Sequence, residues 1–285
     1  MTVCLAVICD QNTIIGSSDR MVTGPDMLFQ PNQAKTRVLT PSMVVMWSGD
    51  ALFQAEIIGR LQAEVNAQVT AAPENWLYVQ WVADRYAAHW TNIKRERAER
   101  VYLWPLGLNT QTFLDRQASM TTSLVNDLAN NMIHHAVPQA SAIIAGVDTT
   151  GAHLFQFESG SLNCMDLMGF ATIGSGGRHA ASQLMLDQYG PTTPTSEALV
   201  LVHSAKHRAE VAPGVGPDTD LWIMGPSLGS WDTIAPDAIA ELDRQFALVK
   251  RSEDRALQRS KHAMLKYIEK MSKRPPANEG QAAEA

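Results

Sequence analysis

The chain has 285 residues, of which 45% are hydrophobic and 18% are charged, and its formal net charge is -6 at pH 7. A chain of this length can bury one substantial core or two smaller ones, and no apolar run approaches the ~20 residues that a membrane-spanning helix requires. The acidic balance argues against a nucleic-acid partner, because binding to phosphate groups requires a concentrated excess of Lys and Arg.

The cysteines and the start of the chain bear on its compartment. Cys4, Cys9 and Cys164 are an odd number without the spacing of metal ligands, which is typical of proteins from a reducing environment. The apolar opening has no basic flank and no small-residue cleavage site, so it is interpreted as a buried strand and not as a secretory signal. The sequence thus predicts a cytoplasmic protein without a cofactor or a membrane partner.

The N-terminal region predicts the first strands of a sheet. Residues 3–8 and 13–18 are rich in apolar and β-branched side chains, and a turn-forming Asp-Gln-Asn separates them. Residues 37–39 and 43–47 repeat the pattern around Thr-Pro-Ser. Asp50 can then begin a helix.

The later elements alternate between helices and strands. We predict helices at 51–69, 76–100, 123–134, 178–189 and 197–211, strands at 142–147, 153–157, 170–173 and 221–224, and a helical C-terminal region. Residues 100–122 are expected to form an irregular surface insertion. This order favours an α+β fold with four αββα layers, in which two antiparallel sheets are covered by helices on both outer faces. The expected domains are residues 1–235, a helical extension at 236–274, and a disordered tail at 275–285.

Thr2 is a candidate nucleophile. An alcohol is a poor nucleophile at neutral pH, and a free α-amino group with a pKa of about 8 can act as a base on the same residue. Thr2 is small enough for the initiator Met1 to be removed, which would expose that amine. A cation held by a carboxylate would complete the activation, and Lys35 and Asp19 lie beside predicted strand ends that can return to the first strand.

Several short motifs resemble those of proteasome β-type subunits, including their simpler bacterial relatives. The resemblance covers most of the range from Thr2 to Met224, and the separations of 16 positions from Asp19 to Lys35 and 14 from Lys35 to Gly49 also match. It implies an N-terminal-nucleophile hydrolase fold and a homo-oligomeric ring. The motifs are Thr-Val-Cys-Leu-Ala-Val from Thr2, Gly-Ser-Ser-Asp ending at Asp19, Thr23, Lys35, Ser-Gly-Asp around Gly49, Ile-Ala-Gly-Val-Asp ending at Asp148, and Ala-Thr-Ile-Gly-Ser-Gly-Gly around Ser175.

The resemblance implies catalytic roles for five residues. Thr2 Oγ would attack a carbonyl carbon, with its own amine as general base. Lys35, oriented by Asp19, would favour the reactive state electrostatically. The backbone N–H of Gly49 would face the developing oxyanion, and Ser175 would assist proton transfers at the Thr2 amine.

The resemblance also implies how substrate binds. A peptide would lie as an added strand beside Val22 and Thr23, held by main-chain hydrogen bonds. Trp47 occupies the position that resembles the base of the family's side-chain pocket. So large a residue there predicts a shallow pocket and a preference for small residues before the cleaved bond.

The sequence departs from the family at two places. Arg20 follows Asp19 directly, and Met21 stands where an arginine is expected. The family's later Asp and Ser, which support the nucleophile, have only Asp218 and Thr219 as candidate substitutes.

The favoured interpretation is a threonine peptidase that forms a ring and acts on peptides or unfolded proteins, with an unidentified unfoldase as a candidate partner. A non-catalytic assembly or scaffold subunit is the alternative that the altered Asp19-Arg20 region motivates. A non-peptide amidase is a further alternative, since the same nucleophile serves other amides. His203 and His207 are spaced to share a metal, but without a convincing third ligand nearby they are interpreted as a polar helix face.

Overall fold

A computed structural model describes residues 2–23, 28–29 and 34–272, with backbone alone for Val22, Thr23, Leu28 and Phe29. Met1 and the tail predicted at 275–285 lie outside the described residues. The chain divides into two units, Met1–Ala235 and Pro236–Ala285.

Twelve strands are present among the described residues, all in the first unit. They are β1 (Cys4–Cys9), β2 (Thr13–Ser18), β3 (Val22–Thr23), β4 (Leu28–Phe29), β5 (Thr36–Thr40), β6 (Met43–Gly49), β7 (Ala140–Asp148), β8 (Gly151–Glu158), β9 (Ser161–Cys164), β10 (Phe170–Ile173), β11 (Asp220–Met224) and β12 (Trp231–Thr233). One antiparallel sheet has the order β10-β1-β2-β11-β12, and the other has the order β5-β6-β7-β8-β9. Strands β3 and β4 pair separately.

The described residues also form seven α-helices. They are α1 (Ala51–Ala71), α2 (Val79–Tyr102), α3 (Thr110–Arg116), α4 (Thr122–Ile133), α5 (Gly177–Leu186), α6 (Thr195–Ala209) and α7 (Pro236–Ser272). Helix α7 belongs to the second unit and is exposed along most of its length. None of these helices combines the length and the apolar character that a membrane span needs, as judged over the described residues.

Alternating side chains place the core of the first unit on both faces of the sheet that contains β6. Val44 and Ile143 pack against side chains of the other sheet, such as Ala6 and Ile14. The next residues along the same strands, such as Val45, point to the opposite face, as strand geometry requires, and pack under α1 and α2. Helices α5 and α6 lie against β1 and its neighbours. The architecture is a mixture of helices and two antiparallel sheets, and it is compatible with the expected sandwich.

Most of the elements predicted from the sequence are confirmed, and the differences have physical causes. The second helix begins at Val79 rather than at 76, because the Asp148 carboxylate accepts a hydrogen bond from the Val79 N–H at 2.9 Å. Strands β9 and β12 were not predicted; they are short edge strands of four and three residues without a clear alternation of buried and exposed positions.

The segment 100–122 is more regular than the sequence predicts. It contains α3 and two short 3₁₀ helices, Trp104–Leu106 and Gln117–Ser119. Leu103, Leu108 and Phe113 are buried and pack with Leu128 of α4. The segment therefore shares a small hydrophobic core with α4.

Candidate active site

The hydroxyl of Thr2 lies in a buried polar cluster with Asp19 and Lys35. Thr2 Oγ1 donates to Asp19 Oδ1 at 2.6 Å, and Lys35 Nζ donates both to Thr2 Oγ1 and, at 2.9 Å, to Asp19 Oδ1. The three residues are 4%, 0% and 3% exposed, respectively. The structure thus brings together the nucleophile, the carboxylate and the cation that the sequence analysis selected.

The pairing of the first two strands brings Thr2 and Asp19 together. Cys4 pairs with Ser18, so the residue before β1 and the residue after β2 meet at the same end of the hairpin. Two backbone contacts extend this pairing, from Asp19 N to Val3 O at 3.1 Å and from Val3 N to Asp19 Oδ1 at 2.9 Å. Lys35 is held from the other sheet, because its carbonyl accepts a hydrogen bond from Trp47 N at 3.1 Å.

The Asp19 carboxylate accepts five hydrogen bonds. Burial by itself raises the pKa of Asp19, but the charge of Lys35 and the hydrogen bonds that the carboxylate accepts lower the pKa below its ordinary value. Asp19 is therefore an anion that offsets the buried Lys35 ammonium. Its donors are Thr2 Oγ1, Val3 N and Lys35 Nζ on Oδ1, and Met21 N and Gly216 N, each at 3.0 Å, on Oδ2.

The loop that supplies Gly216 is fixed by a fully buried lysine that the sequence analysis missed. Lys206 Nζ donates to Gly216 O at 3.1 Å, to Pro217 O at 2.6 Å and to Glu210 Oε1 at 2.7 Å. Burial lowers the pKa of Lys206, and Glu210 opposes that effect. A sequence signal was available, since Lys206 lies four residues after the buried Val202 on the apolar face of α6.

The departures from the family pattern have a structural account. Arg20 binds Asp220 of β11, with Nε at 2.9 Å and Nη2 at 2.5 Å from Oδ1. The backbone N–H of Met21 supplies a donor to Asp19 in place of a side chain. Asp218 and Thr219 do not support the nucleophile: no hydrogen bond joins either of them to Thr2 or Asp19 among the described residues, and the Gly216 amide reaches Asp19 instead.

Two glycines that line a cavity at Thr2 allow close approach of neighbouring backbone, Gly174 to Thr2 and Gly49 to Gln139. A Cβ at Gly174, which has φ +87°, would lie 2.3 Å from Thr2 O, and a Cβ at Gly49, which has φ +100°, would lie 2.2 Å from Gln139 O. A side chain at either position would collide with backbone. Ser175 follows Gly174, and its Oγ accepts a hydrogen bond from Thr2 N at 3.2 Å.

The cavity of about 470 Å³ opens at Thr2, and the described residues that line it are polar, charged or glycine. Trp47 is not part of the lining; it is partly buried and packs with the core under α1 and α2. The side chains of Val22 and Thr23 lie outside the described residues, and their backbone forms β3. The lining residues are Thr2, Ser48, Gly49, Gln139, Ser141, Glu158, Gly174, Ser175 and Arg178.

Cys4 is the nearest alternative nucleophile in sequence. Burial raises the pKa of its thiol to about 12, and its Sγ donates to Trp47 O at 3.4 Å. The thiol is therefore protonated at neutral pH and does not compete with the Thr2 hydroxyl.

His203 and His207 face each other on α6. Their Nε2 atoms are 3.0 Å apart, and His207 Nδ1 lies 2.8 Å from Glu210 Oε1. The two imidazoles therefore contact each other, and His207 also contacts the residue that caps the C-terminal end of α6.

Neither a scan against protein-family models nor a search of curated proteins finds a match to this chain.

Proposed function

We propose that the chain is a threonine-type N-terminal-nucleophile hydrolase of the proteasome type that cleaves peptide bonds, with Thr2 as nucleophile after removal of Met1. The observation that carries the proposal is the contact of Thr2 Oγ1 with both Lys35 Nζ and Asp19 Oδ1 in a buried site. A threonine hydroxyl used only for packing does not need a buried ion pair around it.

In the first step the freed α-amine of Thr2 takes the hydroxyl proton while Oγ1 attacks the substrate carbonyl carbon. The Lys35 ammonium lies at the same oxygen and stabilises the negative charge that develops there. Asp19 keeps that ammonium in place and compensates its charge. This division of roles explains why a carboxylate accepts five hydrogen bonds beside a hydroxyl nucleophile.

In the second step the carbon–nitrogen bond breaks and the protonated amine of Thr2 gives its proton to the leaving nitrogen. The product is an ester between Thr2 and the acyl part of the substrate. Water, deprotonated by the same amine, then adds to the ester carbonyl, which releases a carboxylic acid and restores the hydroxyl. The Gly49 N–H is the expected donor to the oxyanion, a contribution worth about 3 kcal/mol in enzymes where such a donor has been removed.

The fold class and assembly are part of the same proposal. The two packed antiparallel sheets with helices against them suit a four-layer αββα sandwich of the N-terminal-nucleophile type. A homo-oligomeric ring with peptides or unfolded proteins as substrate follows from the resemblance of the sequence.

Digestion of a peptide library, analysed by mass spectrometry, tests the activity. Thr2→Ala is the matched control, because alanine also permits removal of Met1 but lacks the hydroxyl. We expect cleavage by the wild-type chain and by Thr2→Ser, and none by Thr2→Ala. Intact peptides with all three proteins would favour the scaffold interpretation, and hydrolysis of simple amides alone would favour the amidase.

A further inference from the structure

The cavity at Thr2 contains two exposed charged side chains that the proposed reaction does not use. Glu158 ends β8, and Arg178 lies in the first turn of α5. Within the part of the chain that the structure describes, neither charged group forms an ion pair or a side-chain hydrogen bond. Both side chains are exposed at the cavity, where a ligand can contact them.

Arg178 lines the part of the cavity that contains Ser175. It is three residues after Ser175, which accepts the hydrogen bond from Thr2 N. Arg178 is thus on the side of the Thr2 amine.

The leaving group of the reaction must face that amine. The proposed mechanism returns a proton from the Thr2 amine to the leaving nitrogen, so this nitrogen must lie beside Thr2 N and Ser175. The acyl part is expected on the other side, along β3. The carboxyl carbon on the residue after the cleaved bond is two to four covalent bonds, or roughly 2.5 to 5 Å, from the leaving nitrogen, which brings it to the Arg178 side.

We propose that Arg178 binds a carboxylate on the leaving-group side of the substrate. The preferred substrates then have either a free C-terminal carboxylate or an Asp or Glu side chain on the residue that follows the cleaved bond. The guanidinium suits this role because it can donate two parallel hydrogen bonds to a carboxylate. The described residues that line the cavity are polar, charged or glycine, which agrees with a polar occupant. This inference rests on the proposed hydrolase activity, because the mechanism defines the side of the cavity on which the leaving group lies.

Four peptides with a common acetyl-Ala-Ala-Ala acyl part test the preference. Their leaving groups are glycine, glycinamide, aspartyl amide and asparaginyl amide, so the first pair isolates the C-terminal carboxylate and the second pair isolates the side chain. We expect kcat/KM to be about tenfold higher for the acid in at least one pair, as a charge-assisted hydrogen bond provides. In the Arg178→Gln variant the ratio of kcat/KM for the acid to kcat/KM for the matched amide should fall to about one. In the Glu158→Gln variant this ratio should still favour the acid.

Equal kcat/KM within both pairs, or an unchanged ratio in Arg178→Gln, would overturn the proposal. A binding experiment decides the matter separately from hydrolysis. With the Thr2→Ala chain, NMR titration should give an affinity about tenfold higher for the acid in at least one of two pairs, Gly-Gly against Gly-Gly-amide and Asp-Gly-amide against Asn-Gly-amide, and the additional Arg178→Gln change should remove the difference. Equal affinities within both pairs would refute the carboxylate site, whereas selective binding without any cleavage by the wild type would refute only the hydrolase.

Discussion

Asp19 accepts a hydrogen bond from Thr2 Oγ1 at 2.6 Å although 17 residues separate the two in the chain. The same carboxylate oxygen lies 2.9 Å from Lys35 Nζ. The candidate nucleophile and the candidate cation are therefore held by one anion, and a change to Asp19 should affect both.

Replacing Asp19 by asparagine should destabilise the protein in a pH-dependent way. The change leaves the Lys35 ammonium buried without its counter-ion, which costs on the order of 3 kcal/mol. Because the pKa of Asp19 is lower in the folded state than its unfolded value of about 4, its stabilisation is present above that value and is lost as the pH falls through the folded-state pKa.

Urea unfolding of the wild type and Asp19→Asn at pH 7 and pH 3 measures this effect. The difference in free energy of unfolding should be large at pH 7 and smaller at pH 3. Asp84→Asn is the control, because Asp84 is exposed on α2. A difference that is the same at both pH values would show that the charge of Asp19 does not contribute.

Lys206→Met should lower kcat as well as stability. Without the ammonium, the carbonyls of Gly216 and Pro217 lose a buried donor, which costs about 1 to 3 kcal/mol. The loop can then move the Gly216 N–H away from Asp19, and we expect kcat to fall about tenfold if the misplacement costs about 1.4 kcal/mol in the transition state. Steady-state kinetics and urea unfolding measure the two effects, with Lys266→Met on the exposed α7 as control. Lower stability with normal kcat would mean that Lys206 contributes only to stability and not to catalysis.

Gly49→Ala and Gly174→Ala should each be destabilising, because both glycines have positive φ and a Cβ would collide with backbone. The strained conformation alone costs about 1 to 3 kcal/mol. Gly59→Ala is the matched control, since nothing lies within 4 Å of its Cβ and it is inside α1. Thermal unfolding should show lower Tm for the first two variants and a stabilisation of up to about 1 kcal/mol for the control. Equal Tm for all three would contradict the proposed close approach of these loops.

The sequence predicts the elements that carry strong local patterns. The hairpin of β1 and β2 follows from two apolar runs around a turn, and it is this hairpin that brings Asp19 to Thr2. Long helices such as α2 follow from their periodicity, although the start of α2 depends on Asp148, 69 residues away. Short edge strands such as β12 have too few residues for a pattern to emerge.

The contacts that surround Asp19 and Arg20 could not be predicted from local sequence patterns. Arg20 and Asp220 are 200 residues apart, and Gly216 acts through its backbone N–H, which no side-chain motif reveals. The resemblance to the family instead suggested Asp218 and Thr219. These residues lie in the same loop as Gly216 but form no hydrogen bond with Asp19 among the described residues. Lys206 differs from these cases, because a lysine on an apolar helix face is visible in the sequence.

The most direct test of the central claim is a peptide map of the purified chain after reaction with a threonine-reactive electrophile. The account predicts that Met1 is absent, that the adduct is on Thr2, and that Lys35→Met and Thr2→Ala prevent labelling. An unlabelled Thr2 in folded wild-type protein that has lost Met1, or peptide cleavage by protein that retains Met1, would contradict it.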